Sequence, residues 1–186
     1  AATDPGGETT AAQIVDATGC YVFPGLIDYH THLFQGGTNI GVHPDSALLP
    51  QGVTTAVDQG SAGIANFAQF FDTIVSRSQV RIFSHLHVVP VGLQSLPEQP
   101  EAIEPGRFDP ERTRDLFEKY ADRLLGLKIR QSREIVGPLG LTPLKETIRL
   151  AAAIDCPVVV HTTNPPAASG ELAELLRAGD VFTHMY

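Results

Sequence analysis

The 186 residues carry 13 Lys plus Arg against 21 Asp plus Glu, a formal net charge of −8. That length suffices for one domain burying roughly two thirds of its unfolded surface without disulfide staples, and the acidic balance argues against a nucleic-acid partner while leaving room for a small basic site. No uncharged apolar run approaches the roughly 18 residues of a membrane span, and the opening AATDPGGETT has neither basic charge nor an apolar signal core.

Residues 1–13 are rich in Thr, Ala and Gly and indicate no element. Residues 14–23 read as short strand material around a turn at Thr18-Gly19, leading into Pro24-Gly25. The first principal strand is expected at 26–30. A second follows at 53–58, where VTTAV favours extension and Gly60-Ser61 is expected to end it. Phe67, Phe70, Phe71, Ile74 and Val75 recur at helical spacing and predict one helix with a single apolar stripe. The third strand is expected at 81–89. Beyond it, VPVGLQSLPEQPEAIEPGRFDP lacks periodicity and is longer than ordinary connections, so it reads as a loop and a candidate lid on the substrate side.

Asp109 can cap a helix that opens with Pro110, and a short fourth strand is expected at 125–129. Thr142-Pro143 repeats the cap-plus-proline start. Leu144, Ile148 and Ala152 are expected to line the helix that follows, ending near Asp155. The run PVVV leads into a fifth strand at 157–161, a short helix is expected at 169–177, and a sixth strand at 181–184. Strands alternate with helices, and the strands lack a polar face, as parallel sheets covered by helices require. A doubly wound sheet and a (β/α)8 barrel both satisfy this pattern, the barrel usually needing about 250 residues and two more strands.

The chemistry sits at strand ends. His30 and His32 are one residue apart, so the two-residue period of a strand puts both imidazoles on one face, where neutral rings can share a divalent ion. His161 ends PVVV, and His184 ends DVFT. Four histidines at the C-terminal ends of strands occupy the rim where parallel α/β proteins hold their sites. Lys128, in GLKIR, lies at the end of the fourth strand; its neutral form can take up carbon dioxide to give a carbamate with two ligating oxygens, whereas an ordinary strand lysine would snorkel to water. Asp58 is a candidate for orienting a ligand histidine or for capping the Gly60 turn. Arg130 and Arg133 can meet an anionic group at the rim or pair with Glu134. Asn164 can contact substrate or serve a rigid turn with Pro165-Pro166. His85 and His87 form a second H-x-H, expected in core or pocket packing, and His43 is expected at the surface.

Taken together, VFPGLIDYHTHLF, GVTTAVDQGSAG, GLKIRQS, CPVVVHTTNPP and GDVFTHMY resemble the metal-dependent amidohydrolase superfamily, most of all its dihydroorotase-like and predicted deacetylase branch. The resemblance implies a (β/α)8 barrel, present through about strand six over 23–186, with residues 1–22 as a fragment of a small β-sandwich and lead-in. It implies two divalent ions, expected to be zinc, with His30 and His32 on the more buried ion, His161 and His184 on the other, and a carboxylated Lys128 between them. It implies hydrolysis of an amide, cyclic amide or ester bond of a small molecule by a hydroxide shared between the ions. Dihydroorotase and deaminase chemistry are the alternatives, together with an inactive scaffold in an oligomer.

Two departures stand out. The superfamily's proton-shuttling aspartate ends strand eight, and the sequence stops short of that position, so the chain is expected to be truncated. Dihydroorotase-type sites often place an arginine after H-x-H, where this chain has Leu33 and Phe34, which favours an acylated amine or ester as substrate. No nucleic acid or membrane is expected as a partner, self-association is compatible with the reading, and Cys20 and Cys156, far apart and outside any C-x-x-C pair, fit a reducing, cytoplasmic setting.

Overall fold

The computed structural model describes residues 12–184. Six parallel strands form one sheet in which spatial order equals chain order: β1 (Leu26–Thr31), β2 (Val53–Gly63), β3 (Arg81–His87), β4 (Leu124–Arg130), β5 (Val158–His161) and β6 (Val181–Thr183). A doubly wound sheet would reverse its order part-way along the sheet. This one runs in a single direction. It also curls, because the rings of His30 at the end of β1 and His184 just after β6 are 5.1 Å apart although four strands separate them in the ladder. The architecture is therefore α/β, a curled half-barrel of six parallel strands.

Between the strands lie α1 (Pro44–Leu48), α2 (Phe67–Phe70), which widens into a π-helical stretch at Phe71–Val75, α3 (Pro110–Lys119), α4 (Arg133–Val136), α5 (Thr142–Ala153) and α6 (Ser169–Leu175). The expected single helix after β2 is thus a short α turn whose register changes, yet its aromatic stripe holds. Phe67 and Phe70 are fully buried, Phe67 against Tyr120 and Phe70 against Phe34, and each such side chain contributes about 2–3 kcal/mol by leaving water. α1 lies where only loop was expected, with His43 accepting from the Ser46 N–H at its start and Pro44 in the first turn. No helix among the described residues is long and apolar enough to cross a membrane.

Several boundaries differ from the sequence expectation for identifiable reasons. β2 continues past Gly60-Ser61 to Gly63, because the ladder with β3 slips between Gln59 and Gly63 and then resumes, so the turn signal marks a bulge instead of an end. Asp109 does cap α3, accepting from the Arg112 N–H at 3.0 Å. Thr142 does not cap α5: it is already helical, and its neighbour Leu141 stands at the cap without a side-chain bond. The buried face of α5 carries Pro143, Leu144, Thr147, Leu150 and Ala151; Ile148 is half-buried and packs against the core at its margin, whereas Ala152 is exposed. Residues 14–23 form the turn at Thr18-Gly19, closed by Cys20 N–H to Ala17 C=O, but no strand. Ile14, Val15, Tyr21, Val22 and Phe23 are exposed there, with no neighbouring strand to pair with among the described residues. The expected sandwich fragment falls partly on residues 1–11, outside the described residues.

Candidate metal centre

The C-terminal ends of β1, β4, β5 and β6 gather the four histidines and the lysine singled out in the sequence. The ring centroids of His30 and His32 are 5.8 Å apart, those of His30 and His184 5.1 Å, and those of His161 and His184 4.5 Å. Lys128 is 1 % exposed, and its Nζ has no hydrogen-bond partner among the described residues. The β4–β5 register sets Lys128 opposite Val159 and Arg130 opposite His161, so the two strand ends present cation and imidazole side by side.

Local structure holds these ends in place. Asp58 is fully buried and spends both oxygens on backbone donors: Oδ2 accepts from Leu33 N–H at 2.8 Å, and Oδ1 from Ser61 N–H at 2.7 Å. It thereby pins the chain just beyond His32 to the bulge of β2. No histidine among the described residues is bonded to it; Ser61, whose N–H it accepts, shares through Oγ a 3.2 Å hydrogen bond with His32 Nδ1. Gly60 leaves room for Lys128, whose side chain lies against it.

The charges follow from this packing. Burial, reinforced by the Lys128 charge, lowers His30 to about 4 and His32 to about 3. His161 also falls to about 3, through burial and then the neighbouring Arg130 guanidinium, and His184 is lowered as well. Desolvation brings Lys128 down to about 7, with Arg130 pushing the same way, and raises Asp58 to about 6 against the bonds that favour its charged form. Neutral imidazoles and an amine that sheds its proton near neutrality are the forms that bind divalent ions and carbon dioxide.

Donor types and burial therefore fit a metal centre, and the orphaned Lys128 Nζ and His161 Nε2 are atoms for which it would supply partners. Among the described residues, however, no group of three or more His, Cys, Asp or Glu side chains is disposed to hold an ion by itself. The four imidazoles follow one another in ring contact, His32 to His30 to His184 to His161, without closing a coordination sphere among the described residues.

Sequence reasoning missed Glu101. This carboxylate comes from the long loop after β3, is buried, and takes the Arg130 Nη1–H on Oε2 at 2.8 Å, with Oε1 3.6 Å from His87 Nε2. His87 Nδ1 accepts from Val89 N–H at 3.0 Å, which leaves Nε2 carrying the ring proton toward Glu101. A loop without periodicity hides such a residue; only its apolar neighbour Ile103, also buried, hinted that the loop turns inward. Arg130 is therefore paired with Glu101 and not with Glu134. Glu134 instead receives Asn164 Nδ2–H at 3.4 Å, and Asn164 C=O accepts Arg133 N–H at 2.7 Å, so Asn164 ties two loops together at the exposed rim. His85 is buried beside Tyr29, which agrees with its expected packing role.

Residues 13–68, spanning the H-x-H strand and β2, match the Amidohydrolase family. A deacetylase of Agrobacterium fabrum is 37% identical over 174 residues, 94% of this chain. The crystal structure of a dihydroorotase superposes with a TM-score of 0.82 at 37% identity over 88% of the chain. The chain belongs to the amidohydrolase superfamily, on its dihydroorotase and deacetylase branch. A second solved structure, that of an adenine deaminase, superposes with a TM-score of 0.80 at 26% identity over 88% of the chain. The chain spans 43% of the length of the deacetylase and 43% of the dihydroorotase chain.

Proposed function

We propose that this amidohydrolase chain contributes most of a two-metal hydrolytic centre acting on an acylated amine, a cyclic amide or an ester of a small molecule, with deacetylation as the favoured reaction. The observation that carries the reading is a buried Lys128 Nζ without a hydrogen-bond partner among the described residues, in the sheet whose strand ends carry the neutral histidines. A buried lysine without a partner is costly, and carbamate formation removes that cost. The neutral amine adds to carbon dioxide: a nitrogen–carbon bond forms as one carbon–oxygen π bond opens, and the amine proton leaves to solvent, giving two oxygens that share one negative charge.

His30 and His32 would hold one ion, His161 and His184 the other, and carboxylated Lys128 both. When bound, divalent ions of this kind, expected to be zinc, polarise a carbonyl and lower the pKa of water toward neutrality. The protein's part is to keep the imidazoles neutral and oriented, His32 through Ser61, and to keep bulk water from Lys128. By the resemblance, the acceptor of the water proton is an aspartate of an eighth strand, and residues 1–22 belong to a small β-sandwich; the exposed apolar side chains at 14–23 suit such a use. Similarity to a deacetylase, together with Leu33 and Phe34 after the H-x-H, favours acyl cleavage over dihydroorotase chemistry.

Metal analysis of the complete polypeptide, prepared with zinc and bicarbonate, is expected to give two ions per chain, and hydrolysis is expected on acylated amino acids or simple esters. Alanine at His161 or His184 is expected to lower the stoichiometry to about one. Unchanged stoichiometry in both variants would overturn the assignment, and a metal-loaded protein inert to every acyl substrate would favour a scaffold.

A further inference from the structure

The loop between β3 and α3 is fastened at both ends and free between them. Its first residues are tied down: Val88 N–H donates to Lys128 C=O at 3.0 Å, Ala65 N–H to Pro90 C=O at 2.7 Å, and Leu93 N–H to Ser61 C=O at 3.2 Å. Gly92 turns with a φ of +61°, and a Cβ there would lie 2.3 Å from the Ser61 carbonyl oxygen, so only glycine fits. The returning end is held by buried Glu101 on Arg130 and by buried Ile103. Residues 94–100 lie between these anchors and are exposed or half-buried throughout. Among the described residues, their only hydrogen bonds to a residue outside the loop come from Asn39, whose Nδ2 donates to Glu98 Oε1 at 3.1 Å and to Oε2 at 3.0 Å.

Asn39 stands in the loop after β1, which closes on itself through Thr38 N–H to Phe34 C=O and Val42 N–H to His32 C=O. The span 94–100 therefore runs from the end of β3 past β2 to a turn rooted at His32, while Glu101 of the same loop reaches β4. One loop thus touches the C-terminal ends of β1, β2, β3 and β4, along the rim where His32 and Lys128 stand. It does not pack down on what it crosses. A cavity of about 340 Å³ separates Val88, Val89 and Val91 from Ser95, Gln99 and Pro100, so lifting the span breaks little apolar packing and costs mainly the exposed bonds to Glu98.

We infer that residues 94–100 form a strap that gates entry to the candidate metal centre, swinging between Gly92 and Glu101, with Asn39 and Glu98 as its latch. The inference rests on the metal-centre reading for what lies beneath and adds control of access to it. Closed, the strap holds bulk water away from the strand ends; open, it admits small molecules to them, with the two anchors taking up the change in backbone angles.

The test follows two kinds of entry into the complete polypeptide. In the zinc-loaded protein, the rate at which dipicolinate removes zinc is measured. In the chelator-treated protein, acetylation of Lys128 by sulfosuccinimidyl acetate is followed by mass spectrometry against Lys119 and Lys145, both exposed, in the same sample. Cleavage after Glu98 by glutamyl endopeptidase reports opening itself. Asn39→Ala removes both bonds, and Asn39→Asp sets a like charge against Glu98; each is expected to speed all three by about three- to tenfold, leaving Lys119 and Lys145 unchanged. Asn39→Cys with Glu98→Cys, joined by a short bismaleimide in a Cys20→Ser background, is expected to slow zinc removal and Lys128 acetylation below the wild-type rates. Faster cleavage with unchanged Lys128 acetylation would overturn the gate, and unchanged cleavage in both Asn39 variants would overturn the latch. Equal acceleration of cleavage after Glu118 in α3 and Glu146 in α5 would mark general loosening and also overturn it. A wild-type protein that binds no zinc would sink the metal reading, and Lys128 acetylation would still decide the strap.

Discussion

Gly60 and Lys128 are packed so closely that a Cβ on the glycine would lie 2.7 Å from Lys128 Cγ and 2.8 Å from its Cβ, and the glycine itself adopts a φ of +80°. Gly60→Ala therefore meets both a left-handed backbone and a side chain with no room to retreat. The substitution is expected to cost about 1–3 kcal/mol and to lower metal content by displacing Lys128. Denaturant midpoints and metal analysis of the same preparation check the two effects, and a stable variant with full metal content would contradict them.

Lys128→Met should separate stability from function. Below the lowered lysine pKa of about 7, folded and unfolded states are both protonated and the full cost of the buried ammonium is present. Between about 7 and the ordinary value of 10.5 the unfolded chain holds a proton that the folded chain has released, so wild-type stability rises with pH. Met removes the cost, so the metal-free variant is expected to be more stable by about 1–2 kcal/mol at pH 6, with the gain shrinking toward pH 10 while metal binding is lost. Chemical unfolding at both pH values measures this; a gain that grows with pH would contradict the assignment of Lys128 as the buried charge.

Acid should destabilise the chelator-treated protein before its surface carboxylates titrate. His30, His32, His85 and His161 have folded pKa values of about 3 to 4 against 6.5 in the unfolded chain. From pH 6.5 downward, unfolding takes up protons at these rings and stability falls until the folded values are reached. Asp58, raised from 3.8 to about 6, has the opposite sign: its contribution weakens as pH rises through that interval. Four rings against one carboxylate leave a net loss on acidification, and saturating zinc is expected to resist it by binding the neutral rings. Melting temperatures from pH 7 to 4, with and without zinc, give the comparison; a chelated protein that gains stability over this range would reverse the sign.

The loop after β3 should depend on one carboxylate. Glu101→Ala strands the Arg130 guanidinium and is expected to cost about 2–4 kcal/mol. Breaking the exposed pair of Arg107 and Glu104 in the same loop is expected to cost at most about 0.5 kcal/mol, because solvent already screens it. Limited proteolysis at 88–109, alongside unfolding midpoints, distinguishes them: cleavage should accelerate in Glu101→Ala and stay unchanged in Glu104→Ala.

The succession of strands and helices along the chain, the H-x-H at the end of β1 and the positions of Lys128, His161 and His184 toward later strand ends were all legible in the sequence, because apolar runs bounded by Gly and Pro mark strands and a histidine closing such a run marks a rim. The local signals also located α3, whose cap and proline act within one turn. What the chain alone left open was the choice between a doubly wound sheet and a curled one, since both satisfy the same periodicity; the unidirectional strand order and the closeness of His30 to His184 decided it. Glu101 and the true partner of Arg130 also required the fold, because residues 29 positions apart meet only when a loop without periodic signal turns inward. Sequence fixes the period of an element and the chemistry of its end, as both are local; partners across strands and loops follow from packing, which is not.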